Sequence, residues 1–92
     1  MLELLKRLED RLSNTFEIVA IGNKVCFLLE NGTIAHLTAF TEWGCVVVEY
    51  ADSVNEAKKN LFEDGNQYYI SELTEDELLN AISEEIKENG HS

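Results

Sequence analysis

The chain has 92 residues, 45% of them apolar, and 18 acidic against seven basic side chains, giving a formal net charge of -11. That length supports one core and excludes a catalytic domain joined to a separate regulatory one, while four Phe, three Tyr and one Trp argue for packing over disorder. The acidic balance repels nucleic acid and anionic membrane, so neither is expected as a direct partner, and no apolar run nears the ~18 residues of a membrane-spanning helix.

Met1 opens directly onto Leu2-Glu3-Leu4-Leu5-Lys6-Arg7, an amphipathic pattern unlike a signal peptide, and a cytoplasmic location is expected. Met1, Leu5, Leu8 and Leu12 recur on one helical face and Ser13-Asn14 breaks the pattern, so a first helix is predicted over residues 1–12. From Phe16 to Phe40 the period becomes two, with Gly22-Asn23 and Asn31-Gly32 as two-residue hairpin turns between β-rich segments. Pairing outward from those turns sets Ala20 opposite Val25, Ile18 opposite Phe27, Leu29 opposite Ile34, Phe27 opposite His36 and Val25 opposite Thr38. One face then carries Phe16, Ile18, Ala20, Val25, Phe27, Leu29, Ile34, His36, Thr38 and Phe40, and is expected to lie under the helices. The reverse face mixes Glu17, Lys24, Glu30 and Thr33 with Val19, Cys26, Leu28 and Leu37. It needs cover from a helix or from a second copy of the chain, which makes a homodimer one expectation.

After the loop Thr41-Glu42-Trp43-Gly44, Cys45 to Tyr50 reads as a fourth strand. Ser53-Val54-Asn55-Glu56 offers a capping box for a short helix that turns Val54, Ala57 and Leu61 inward and ends at Asp64-Gly65. Tyr68-Tyr69-Ile70 reads as a short strand. Thr74 and Glu77 form a second capping box, with a Leu73/Leu78 hydrophobic staple, at the start of the last helix, and Gly90 is its expected terminator. The predicted architecture is a single α+β domain over residues 1–92. Its order is N-terminal helix, four-stranded antiparallel meander, short helix, short strand, and a C-terminal helix packed on one sheet face.

Little in the sequence points to catalysis. Cys26 and Cys45 read as free thiols, and the register above turns Cys26 and His36 to opposite sheet faces, which excludes a Cys/His nucleophile. His36 reads as a packed ring with local partners, against the alternative of a pH-sensitive or ligand site. His91 falls in the expected tail, and without Cys-x-x-Cys spacing no zinc site is predicted. Glu63-Asp64-Gly65-Asn66 lacks the alternating oxygen ligands of a calcium loop and reads as a helix-ending turn. Asn31-Gly32-Thr33 is explained as a tight turn, not a glycosylation acceptor. No phosphate loop or nucleophile elbow occurs, so neither a cofactor nor an enzymatic activity is expected.

The unusual feature is where the charge sits. Up to Val46 there are six acidic and four basic residues; from Val47 onward there are twelve and three. Glu75, Asp76 and Glu77 fall in the first turn of the last helix, where the helix dipole favours carboxylates. Glu84, Glu85 and Glu88 lie toward its C-terminal end, where the dipole disfavours them and Lys87 is the nearby cation. On a helical wheel Leu78, Leu79, Ile82 and Ile86 form the inner arc, while Glu77, Glu84 and Glu88 share the outer one. That stripe is either a solvated face or a docking surface for a basic protein, in the limit a mimic of the nucleic-acid backbone. In size, charge and α+β mixture the chain looks like small acidic inhibitors made by phages. Trp43 is either a cap on the core or a partner anchor.

The run Val48-Glu49-Tyr50-Ala51-Asp52, then Glu56-Ala57-Lys58-Lys59-Asn60, then Phe62-Glu63-Asp64-Gly65, closing with a Glu-rich helix, resembles small acidic proteins of Gram-positive bacteria and their prophages. The resemblance covers the second half and implies an accessory bacterial protein, with no activity or site residue to carry over. The function expected is a non-catalytic module that docks a basic protein surface through Glu77, Glu84, Glu88 and Trp43. The alternatives are a homodimeric structural module whose acids serve solubility, and a nucleic-acid-mimicking inhibitor.

Overall fold

The computed structural model describes residues 1–90; His91, assigned to the tail by the sequence, lies outside the described residues. The elements are α1 (Leu2–Leu12), β1 (Glu17–Ile21), β2 (Lys24–Leu28), β3 (Ile34–Phe40), β4 (Cys45–Ala51), α2 (Val54–Lys58), β5 (Glu63–Tyr69) and α3 (Glu75–Asn89). The strands form one antiparallel sheet in the order β1-β2-β3-β4-β5. The α+β class and the helix-first, helix-last order agree with the sequence reading, but the meander has five strands and not four.

The fifth strand contains Tyr68 and Tyr69 of the short strand expected over 68–70, and it corrects the reading of residues 61–67. The α2 helix ends early because Asn60 takes a left-handed conformation, φ 60°. Asp64-Gly65 therefore falls inside a strand and not at a helix end, and Leu61 is exposed where it was expected to point inward. Polar Glu63-Asp64-Gly65-Asn66-Gln67 carries no strand signal of its own. It pairs because β4, buried along most of its length, offers a ladder that must be completed.

The first hairpin has the expected register, Ala20 opposite Val25 and Ile18 opposite Phe27. Gly22 supplies the positive φ (62°) at the first central position of the turn, the arrangement of a type II′ hairpin. The second hairpin does not. Gly32 N–H donates to Leu29 O at 3.0 Å and Leu29 N–H donates to Thr33 O at 2.9 Å, so the loop holds three residues, Glu30-Asn31-Gly32, with Gly32 alone left-handed (φ 89°). Cys26 now faces His36, Phe27 faces Ala35 and Leu28 faces Ile34, a shift of one residue that turns β3 over.

The inverted strand sorts the core. Beneath α1 and α3 lie Phe27, Leu29, Ala35, Leu37, Val46 and Val48, packed against Leu8 and Leu12 of α1 and Leu78, Ile82 and Ile86 of α3. Each of these helical Leu and Ile side chains contributes about 1.5–3 kcal/mol by leaving water, which holds both helices on one face. Ile34, His36, Thr38 and Phe40, expected beneath them, are on the reverse face. There α2 and the Phe62 ring cover a second cluster of Ile21, Cys26, Ile34, Ala51 and Ala57. A helix of the chain itself thus supplies cover the sequence left open. Among the described residues no helix is long and apolar enough to cross a membrane.

Capping follows the sequence in full at α3 and, for the box expected at Ser53 and Glu56, through the Ser53 side chain at α2. Thr74 Oγ1 accepts from Glu77 N–H at 3.2 Å and Glu77 Oε1 accepts from Thr74 N–H at 2.9 Å, closing the box at the start of α3, and Ser53 Oγ accepts from Glu56 N–H at 3.2 Å in α2. Leu73 and Leu78 join the same apolar cluster, as the staple requires.

Candidate functional site

Glu85 is the buried charged residue among the described residues, 7% exposed, although the sequence reading grouped it with the unexplained acids Glu84 and Glu88. It lies at seven residues from Leu78 and three from Ile82, on the arc that α3 turns to the sheet, so helical spacing was the signal for its burial. Three donors converge on its carboxylate. Tyr50 of β4 donates its hydroxyl to Oε2 at 2.5 Å, Tyr68 of β5 donates to Oε1 at 2.7 Å, and Asn66 N–H donates to Oε1 at 3.2 Å.

That convergence depends on a β-bulge. Between the pairs Val47/Gln67 and Glu49/Asp64, β5 holds one residue more than β4, and the surplus at Gly65-Asn66 turns the Asn66 amide toward α3. Gly65 brings the strand close enough: a Cβ there would stand 2.5 Å from Glu85 Oε2 and 2.9 Å from Val48 O. Burial, then the hydrogen bond to Glu85, raises both phenols above their ordinary value, Tyr68 to about 12. Both therefore stay protonated donors throughout the physiological range.

Over this cluster opens a polar cavity of about 430 Å³, lined by Asp52, Glu63, Asp64 and Glu85 together with Tyr50 and Asn89. No lysine or arginine is among its lining residues. The C-terminal end of α3 borders the same region through Glu85 and Asn89, and the negative end of its helix dipole adds to the negative potential. Glu88 belongs to this field, since its charge reaches the Tyr68 phenol. The basic side chains nearest α3 are engaged elsewhere. Arg7 pairs with Glu75 at 2.8 Å and Arg11 with Asp76 at 2.7 Å at its N-terminal end, and Lys87 reaches only Glu84, at 3.9 Å.

The residues singled out from sequence are not brought together. Glu77, Glu84 and Glu88 are all exposed on α3, but Glu77 is committed to its cap, which holds its carboxyl below the usual range, whereas Glu84 and Glu88 lie on the C-terminal half of the helix, outside the cavity lining. Trp43 sits in the β3–β4 turn, 69% exposed, stacked on Phe40 at 6.4 Å, and so does not cap the core.

His36 is corrected in both face and neighbours. It lies on the reverse face, where its Nδ1–H donates to Glu49 Oε1 at 2.7 Å and its ring packs 5.9 Å from that of Phe62. Cys26, expected on the opposite face, is its direct cross-strand neighbour, so Cys26, His36 and Glu49 form one row across β2, β3 and β4. The row is not an activated nucleophile. Cys26 is fully buried and burial pushes its thiol up to about 11, the reverse of what a thiolate needs. Both cysteines are free.

Among the described residues, no three His, Cys, Asp or Glu side chains converge as a metal-binding group. Comparison with family models, with curated proteins and with solved structures finds no match for this chain.

Proposed function

We propose that the protein is a non-catalytic cytoplasmic binding module, of the accessory bacterial kind, whose acidic second half docks a basic protein surface. The observation that carries this reading is the cavity bounded by Asp52, Glu63, Asp64 and Glu85, which has four carboxylates and no basic side chain in its lining. Carboxylates gathered in a concave site focus the field and raise the local concentration of a cationic group. A lysine or arginine presented by a partner meets Asp52, Glu63 and Asp64 in the cavity, and the exposed Glu84 and Glu88 on the C-terminal half of α3 extend the negative field. Glu85 lends charge from below while its own oxygens remain held by the two tyrosines.

The proposal therefore moves the centre of the docking surface from the length of α3 to its C-terminal end and the adjoining start of β5. A lysine-rich probe peptide, titrated calorimetrically at low and at high salt, tests it. Binding should be present at low salt and weaken with added salt. The triple change Asp64→Lys, Glu84→Lys and Glu88→Lys should weaken it at least ten-fold, and Glu3→Lys on α1 should not. Equal binding by wild type and the triple variant would overturn the reading.

A further inference from the structure

The two edges of the sheet are built differently. On β5 the bulge at Gly65-Asn66 breaks the ladder, the Asn66 amide is already taken by Glu85, and Glu63 and Asp64 charge the start of the strand. These are the devices that keep an edge from pairing with another chain. The β1 edge has neither the bulge nor the occupied outward amide, and carries one charge where β5 carries two. Glu17-Ile18-Val19-Ala20-Ile21 pairs residue for residue with β2, without bulge or proline, and Glu17 is its sole charge.

The turn geometry says which groups β1 leaves open. Ile21 and Lys24 flank a two-residue turn and are therefore a hydrogen-bonded pair, so by alternation Val19 and Glu17 also bond to β2. The N–H and C=O of Ile18 and Ala20 point away from the sheet. On the face that bears α1 and α3, Ile18 is 49% and Val25 39% exposed, and with exposed Ala20 they make an apolar strip along this edge.

We infer that β1 is a dimerisation edge, through which two copies of the chain join antiparallel into one ten-stranded sheet. The two-fold axis runs between the paired Val19 residues, a non-hydrogen-bonded pair. Ile18 and Ala20 of each copy exchange N–H···O=C bonds with Ala20 and Ile18 of the other, and the two apolar strips become continuous. Charge complementarity favours this arrangement in a chain with net charge -11. In this register Glu17 of one copy lies opposite Ile21 of the other. It is then two strand spacings, about 10 Å, from the second copy's Lys24 on the same face, whose ammonium donates to the neutral Asn60 Oδ1 at 2.6 Å and lies over the Phe62 ring, so its positive charge is not matched by a carboxylate among the ion pairs of the described residues. Both β5 edges and their acidic cavities are left at the outer ends, so the inference does not rest on the docking proposal.

Sedimentation equilibrium across a dilution series tests it, with a mass near twice 10.4 kDa expected at the concentrated end. Ala20→Pro removes an outward N–H at a position where an edge strand tolerates proline, and Ile18→Lys places a charge on the strip. Each should weaken self-association about ten-fold or more while leaving the far-ultraviolet circular dichroism of the monomer unchanged. Val19→Cys should oxidise to a disulfide-linked dimer, because non-hydrogen-bonded partners bring their Cα atoms to about 4.5 Å. Ala20→Cys, whose copies are offset diagonally by roughly 8 Å, should not. A wild-type monomer at every concentration, an Ala20→Pro variant that dimerises like wild type, or failure of Val19→Cys to cross-link would each overturn the inference.

Discussion

Gly65 and Glu85 share one small space: a methyl group on Gly65 would stand 2.5 Å from Glu85 Oε2, 2.9 Å from Tyr50 Cε2 and 2.9 Å from the Val48 carbonyl oxygen. Two of those neighbours are tied to one another and the third is backbone, so none can yield cheaply. Gly65→Ala should cost about 2–3 kcal/mol in urea unfolding, as an overpacked site does. Gly22, with nothing within 4 Å of an added Cβ, should lose only the ~1–2 kcal/mol of its left-handed backbone on changing to Ala. Equal losses at the two positions would show that the bulge is not held against α3.

Removing the acceptor itself strands three donors. Glu85→Ala leaves the Tyr50 and Tyr68 hydroxyls and the Asn66 amide without their partner, and should destabilise by about 2–4 kcal/mol. Glu85→Gln keeps an acceptor and should cost about half as much. Combined with Gly65→Ala, the Glu85→Ala change should be less than additive, since both act on the same volume. A Glu85→Ala loss below ~0.5 kcal/mol would mean the cluster is solvated.

The same cluster predicts an alkaline transition. Tyr68 is raised from an ordinary 10.0 to about 12, Tyr50 is raised further, and Cys26 is raised from 9.0 to about 11. In each case the unfolded chain gives up its proton first as pH rises, so the unfolded state binds fewer protons and stability falls with pH. The contribution is complete below about pH 9 and is lost progressively between roughly pH 9 and 12. Thermal melts across that window should fall, and tyrosinate absorbance should show the Tyr50 and Tyr68 phenols titrating late. In Tyr68→Phe the decline should be shallower.

His36 and Glu49 form a second coupled pair, their side chains 15% and 17% exposed. His36→Leu adds apolar surface beside Phe62 but leaves a half-buried carboxylate unpaired, and should cost about 1–2 kcal/mol. Adding Glu49→Val should recover most of that loss. A double-mutant cycle with no coupling between the two sites would refute the pairing.

Several features of this protein were settled by local sequence. Helix starts at Ser53 and Thr74, the Leu73/Leu78 staple, and the Gly22-Asn23 hairpin with its register each depend on a few neighbouring side chains and φ angles, and the sequence reading and the structure agree on them. The binary pattern also marked Leu8, Leu12, Leu78, Ile82 and Ile86 as core.

Three things were decided only by tertiary structure. Asn31-Gly32 is compatible with either a two-residue or a three-residue loop. Here Asn31 Nδ2 donates to Asn89 O at the end of α3 and Asn31 Oδ1 accepts from Thr33 N–H, both at 3.0 Å, contacts that accompany the longer loop and hence a β3 turned over by one residue. That inversion brings Cys26, His36 and Glu49 into a row on the face opposite to the one expected for His36. β5 exists because β4 needed a partner for its ladder, a demand invisible in the polar run 63–67. Glu85 looked like one more surface acid because helical spacing gives an orientation but not an environment. Its burial became tolerable only when two strands, distant in sequence, placed Tyr50, Asn66 and Tyr68 around it. Local chemistry sets turns and caps at a kcal/mol or so each, but register and the burial of a charge are settled by contacts that exist only after the chain has closed on itself.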